Sequence, residues 1–171
     1  MPTAIQQLLK QGKPFPSLEG EVFVALQLAA NRALDPWARF LRREEQLTPN
    51  QYNVLRILRG AHPDGLTCGQ IAERMITRDP DVTRLTDRLV RDGLAQRARN
   101  EADRRVVEVR IAPAGLAVLA RLDEPAREMA KALLGPLGRE RLRTLRDLLG
   151  TLITDLGTVM PEDVAAVGPD R

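Results

Sequence analysis

One cysteine and one histidine among 171 residues remove several chemistries at once. Cys68 has no partner for an intrachain disulfide, and Cys68 with His62 falls short of the four-ligand Cys/His set that a structural zinc site needs within one chain. No Gly-rich phosphate loop is present either. With so few nucleophiles and bases an enzyme is not expected, and no cofactor is implied. No apolar run reaches membrane-spanning length and no signal peptide is evident, so the expected location is cytoplasmic, with no membrane partner. Aromatic residues make up 3% of the chain against 43% hydrophobic residues, which leaves Leu, Val, Ile and Ala to build the core. Lysine is scarce as well, at Lys10, Lys13 and Lys131 only.

Arginine is what is there instead. The formal net charge is only +3, but nine arginines fall between Arg78 and Arg110. A genome rich in G and C favours Arg over Lys everywhere; it does not explain that clustering. A guanidinium presents a planar fork of donors that matches phosphate oxygens and the guanine edge. A local basic cluster therefore points to an acidic partner, and first of all to double-stranded DNA.

The order of elements around the cluster supports this. Thr48-Pro49-Asn50-Gln51 is a helix start with a capping Thr, Pro in the first position and Gln three residues on, followed by Tyr52, Leu55 and Leu58 facing inward. Thr67-x-x-Gln70 repeats the logic within a short helix over 66–75. Asp79-Pro80 is expected to open a third helix running from Pro80 to Asp92 and stopped by Gly93. In it Val82, Leu85 and Leu89 form the inward face, so Thr83, Arg84, Asp87, Arg88 and Arg91 point outward. Residues 94–99 and 106–111 then read as two strands. Val107, Val109 and Ile111 alternate with Glu108 and Arg110 around a tip that holds Asp103, Arg104 and Arg105. The expected fold is mainly α with a small β-hairpin wing (α+β), a winged helix-turn-helix. Such a unit places the second helix of its pair in the major groove. An inserted Arg of the wing is attracted by the negative potential of a narrow minor groove. The expected DNA-binding residues are thus Thr83, Arg84, Asp87, Arg88, Arg91, Asp103, Arg104 and Arg105, with Asp103 holding the guanidinium beside it. A winged helix that binds protein rather than DNA is the alternative; such a module need not keep basic groups at both groove-contact positions.

Flanking segments divide as follows. Residues 1–16 form an arm that is flexible or docks on a partner, and 17–46 an N-terminal helix capped by Ser17, with Pro36 forcing a kink or restart. Residues 47–112 form the DNA-binding domain, 113–157 the C-terminal helices, with Pro125 bending or breaking the first of them, and 158–171 a tail. Leu142, Leu145, Leu149, Leu152 and Leu156 alternate spacings of three and four, an a/d seam that needs a partner helix. A chain this short cannot cover it fully, so a homodimer joined through N- and C-terminal helices is expected.

The stretch Val82-Thr83-Arg84-Leu85-x-Asp87-Arg88-Leu89, then Gly93-Leu94, Asp103-Arg104-Arg105 and Gly115, resembles the winged helix of the multiple antibiotic resistance regulator (MarR) family. Ile111-Ala112 stands where the family has Leu-Thr, which removes a helix cap without touching the DNA-reading residues. The resemblance extends over nearly the whole chain. It implies a triangular homodimer on a pseudo-palindromic operator, acting as a repressor. It further implies release by a small phenolic or other aromatic effector, or by oxidation of a cysteine. Trp37, Phe40, Tyr52 and Arg56 are candidates to line an effector pocket, although the three rings suit a core equally. Cys68 falls in the first turn of its helix, where the dipole favours a thiolate, yet the family's sensing cysteines lie near the first helix, and a structural role is the expectation here. His62 reads as a loop residue.

Overall fold

The computed structural model describes residues 3–77, 81–99, 103 and 105–158. The order is α1 (Ala4–Leu8), α2 (Leu18–Glu45), α3 (Pro49–Ala61), α4 (Cys68–Arg74), α5 (Val82–Arg91), β1 (Ala95–Arg99), β2 (Val107–Ile111), α6 (Pro113–Leu134), a 3-10 turn (Gly135–Leu137) and α7 (Gly138–Thr158). Two compact units result, Met1–Ala126 and Arg127–Arg171.

Local chemistry sets most of these boundaries. Thr48 accepts from the Gln51 amide at 3.2 Å and Gln51 Oε1 accepts from the Thr48 amide at 2.9 Å. Thr67 and Gln70 repeat the exchange at 3.2 and 2.9 Å. Each box satisfies amides that a helix start leaves without an intrahelical partner. The same device appears at Thr3 and Gln6, so the arm carries a short helix that its Gly and Pro content had hidden. The start of α5 differs from expectation by two residues. Asp81 is the cap, its carboxylate accepting from the Arg84 amide at 3.0 Å, while Asp79 and Pro80 lie outside the described residues. The 28-residue α2 runs unbroken through Pro36, and α6 runs unbroken through Pro125. A proline deletes a single backbone bond, and in α2 Trp37 and Phe40 on its far side are packed against the core and hold the following turn.

β1 and β2 pair antiparallel, Ala95 opposite Ile111 and Arg99 opposite Val107. Leu66 adds a single antiparallel bridge to Val109, with bonds of 3.0 and 2.8 Å. The alternation expected of β2 holds at Val109 and Ile111 and reverses further out, where Glu108 is buried and Val107 exposed. Gly65 explains the reversal. Its Cα passes so close to the Glu108 side chain that a Cβ built there would stand 2.7 Å from Glu108 Cβ. The ribbon is covered on that face by the loop before α4, and Val107 lies beyond the reach of the core.

The first unit's core joins Leu55 and Leu58 of α3, Ile71 of α4, Leu89 of α5, Val109 and Ile111 of the ribbon, and Leu119 and Leu122 of α6. Two bidentate ion pairs fasten α6 from outside. Arg59 of α3 meets Asp123 at 2.8 and 3.0 Å, and Arg121 meets Glu45 at the end of α2 at 2.8 Å through both nitrogens. Hydrogen bonding to those carboxylates raises the pKa of each arginine. In the second unit α7 keeps Leu142 and Leu149 half-buried and leaves Leu148, Ile153 and Leu156 exposed.

Two substitutions test this packing. Leu119→Ala should cost about 2–5 kcal/mol of unfolding free energy, as for other fully buried leucines, measured by urea denaturation. Gly115→Ala should also destabilise markedly, because a Cβ there would stand 2.2 Å from the Leu94 carbonyl oxygen and 2.9 Å from Ile111 Cγ1. A Gly115→Ala variant with an unchanged urea midpoint would contradict that close approach.

Candidate nucleic-acid interface

α5 is amphipathic. Val82 and Leu89 are buried and Leu85 half-buried, which turns Thr83, Arg84, Asp87, Arg88 and Arg91 outward, and all five are exposed. Thr86 is fully buried, a polar residue on the inward face. Its hydroxyl donates to the Thr83 carbonyl at 2.8 Å, which is how a buried hydroxyl is tolerated there. Cys68 Sγ lies 3.7 Å from the same Thr86 oxygen, half-buried under α5.

The turn between α4 and α5 is held from α3. Asn53 Oδ1 accepts from the Ile76 amide at 3.0 Å, and Asn50 Oδ1 accepts from the Thr77 hydroxyl at 3.1 Å. Sequence reading passed over both asparagines. They stand three apart on one helix face, and that spacing is the signal that could have drawn attention to them.

Charges on α5 are unevenly engaged. The Arg84 guanidinium is 4.0 Å from Asp81, and Arg91 Nε donates to Asp92 at 3.1 Å. Asp87 is bonded by Arg97 of β1. Arg88 has no ion-pair partner among the described residues. In the wing, Asp103 accepts from the backbone amide of Arg105 at 2.9 Å, and its carbonyl accepts from Val106 at 3.0 Å. Asp103 thus shapes the turn through the Arg105 backbone. The exposed Arg105 side chain has no ion-pair partner among the described residues. Arg104 lies outside them.

Arg84 and Arg88 on α5 and Arg105 on the wing thus offer exposed guanidinium groups on two adjoining elements. That is the arrangement a winged helix uses to contact a groove with the helix and the neighbouring groove with the wing. Residues 47–107 match the MarR family. The regulator PecS of Dickeya dadantii is 30% identical over 73% of this chain and 74% of its own. The chain belongs to the MarR family. A MarR transcription factor of Planctomyces limnophilus has a solved structure that is 38% identical, with a TM-score of 0.59 over 81% of this chain and 99% of that one. The PcaV transcriptional regulator of Streptomyces coelicolor, solved in complex with its natural ligand, is 26% identical with a TM-score of 0.65, covering 84% of this chain and 96% of that one. This MarR-family chain is accordingly a transcription regulator with a DNA-binding winged helix. No helix among its described residues is long and apolar enough to cross a membrane.

The aromatic candidates pack on one another. Trp37 stacks on Phe40 with centroids 5.4 Å apart and meets Tyr52 edge-on at 5.1 Å. Arg43 caps Phe40 and Arg56 caps Tyr52, each guanidinium carbon 5.9 Å from the ring centre. Tyr52 is buried, Trp37 and Phe40 are half-buried, and Arg56 is exposed. His62 is exposed at the end of α3.

Substituting Asn53 by Ala should lower DNA affinity without touching any exposed guanidinium, because it frees the turn that leads into α5. Anisotropy titration of a labelled duplex would measure the loss; unchanged affinity would show that the turn needs no anchor on α3.

Proposed function

We propose that this protein is a homodimeric repressor that reads a pseudo-palindromic operator, with residues 80–92 in the major groove and wing residues 99–105 in the minor groove, and that a small molecule releases it. The observation that carries the reading is the exposed row Thr83, Arg84, Arg88 and Arg91 on α5 beside the exposed Arg105 of the wing. Arg84 lies in the first turn, the end that enters the groove most deeply, where a fork onto guanine O6 and N7 is available. Arg88 and Arg91 lie further along and suit phosphates. Thr83 offers a methyl for thymine and a hydroxyl for a base edge.

Dimerisation is supported by apolar side chains that water otherwise meets. Leu18 and Phe23 on α2 are 71% and 64% exposed, and Leu148 and Ile153 on α7 are 65% and 68% exposed. A second copy offers the same surfaces in a self-complementary arrangement. Repression follows from occupancy, since a dimer lying on two successive grooves keeps polymerase off the DNA beneath it. The ligand-bound PcaV relative supports release by a small molecule.

Binding-site selection from a pool of random duplexes tests the reading. It should return an inverted repeat with half-sites about one helical turn apart, ~10 bp, or a multiple of that. A pool that returns with no preferred sequence would overturn it. Sedimentation at micromolar concentration should give twice the 19.0 kDa chain mass. Arg84→Ala should reduce discrimination at one base position by about 1–3 kcal/mol, read as relative affinities for point-substituted operators. An even loss across all sequences would place Arg84 on phosphate instead.

A further inference from the structure

The wing is a lever, and its root is held at one point by charge. Arg97 is paired with Val109 in the ribbon register, and Val109 is also the residue bridged to Leu66. Outward from that rung, Ala98 with Glu108 and Arg99 with Val107, the ribbon has two strands and no third among the described residues. A two-stranded ribbon by itself is marginal in water. Arg97 stands at the last three-stranded rung, on the ribbon face that carries Ala95 and Val109, which is the face toward the core. From there it reaches Asp87 in the middle of α5. On the opposite face, Glu108 and Arg110 face each other at 3.5 Å under Gly65.

We infer that Arg97 is a positioning residue for DNA reading: its ion pair with Asp87 fixes the angle between recognition helix and wing, and so the placement of Arg105 relative to Arg84. This rests on the DNA-reading function proposed above. Arg105 is four residues beyond Val109, up to ~13 Å of extended chain at 3.3 Å per residue, so a tilt of about 15° at the root carries it ~3 Å. A displacement of that size takes a guanidinium out of hydrogen-bond range of the groove floor. The pair has a second effect. Asp87 is a carboxylate on the exposed face of α5, and unpaired it repels phosphate. Arg97 cancels that charge where Arg84 and Arg88 approach DNA. Asp87 is thereby assigned to the architecture of the reading surface rather than to a base.

The test is a double-mutant cycle on the full chain with the operator obtained by selection. Arg97→Gln and Asp87→Asn should each lower operator affinity about tenfold or more. The double variant should be no worse than the poorer single one, because the second change removes a bond already broken. Affinity for A·T-rich over G·C-rich flanks, a preference the wing supplies, should fall in both variants. The charge-reversed pair, Asp87→Arg with Arg97→Asp, should recover part of the flank preference. In the protein without DNA, amide exchange of 95–99 and 107–111 should quicken in both single variants. Additive losses, with the salt dependence of binding reduced only in variants lacking Arg97, would mean that Arg97 grips phosphate directly and would overturn the inference. Unchanged amide exchange would overturn it too, whatever DNA does. A parent chain that shows no operator preference would remove the function and the inference together, whereas a parent with preference and an additive cycle removes only the inference.

Discussion

The turn at 92–94 is the constraint on which the arrangement of the first unit depends. Gly93 adopts a φ of +72°, the left-handed region that favours glycine, and lets the Leu94 amide reach back to the Leu89 carbonyl at 2.8 Å. The Leu94 carbonyl then accepts from the Ala112 amide at 3.0 Å and lies directly against Gly115. One residue thus touches the end of the recognition helix, the start of the wing and the first turn of α6. Ala112 offers no side-chain acceptor to the amides of the first turn, but its own amide, which a helix start leaves without an intrahelical partner, is taken by Leu94, so the start of α6 is tied to the wing by a backbone bond.

Around that turn the aliphatic core and the exterior ion pairs have distinct roles. Leu89, Ile111 and Leu119 exclude water and supply most of the stabilisation, without direction. Arg59–Asp123 and Arg121–Glu45 are partly exposed to solvent and contribute modest net energy, but their paired bonds constrain the rotation of α6 about its axis. Direction also comes from Asn50 and Asn53, which tie the α4–α5 turn to α3. A reading surface needs both, because groove contacts fail through misplacement well before the domain unfolds.

Much of the fold was legible in the sequence because its signals are local. Thr48-x-x-Gln51, Thr67-x-x-Gln70 and Gly93 each act within four residues, and the structure uses all three as read. The start of α5 was not, since Asp79 and Asp81 both suit a cap and only the burial of Val82 decides between them. Glu108 defeated a two-residue alternation because Gly65, far off in sequence, closes over it. The bond from the Arg105 amide to the Asp103 carboxylate was not foreseen, because alternation and motif register do not reveal a backbone partner. Asn53 and Arg97 escaped for a different reason. Each is an ordinary polar residue until the chain folds a second element against it. The outward row on α5 was read correctly as a face because a helix places 83, 84, 87, 88 and 91 together by geometry alone.

That row has one more consequence. Between Arg78 and Arg110 every side chain with a fixed positive charge is an arginine, and lysine is absent. Acylating enzymes that neutralise lysines on other DNA-binding surfaces find no substrate here. The attraction of this face for phosphate is therefore carried by guanidinium groups, and the spacing and orientation of those arginines decide how it is used.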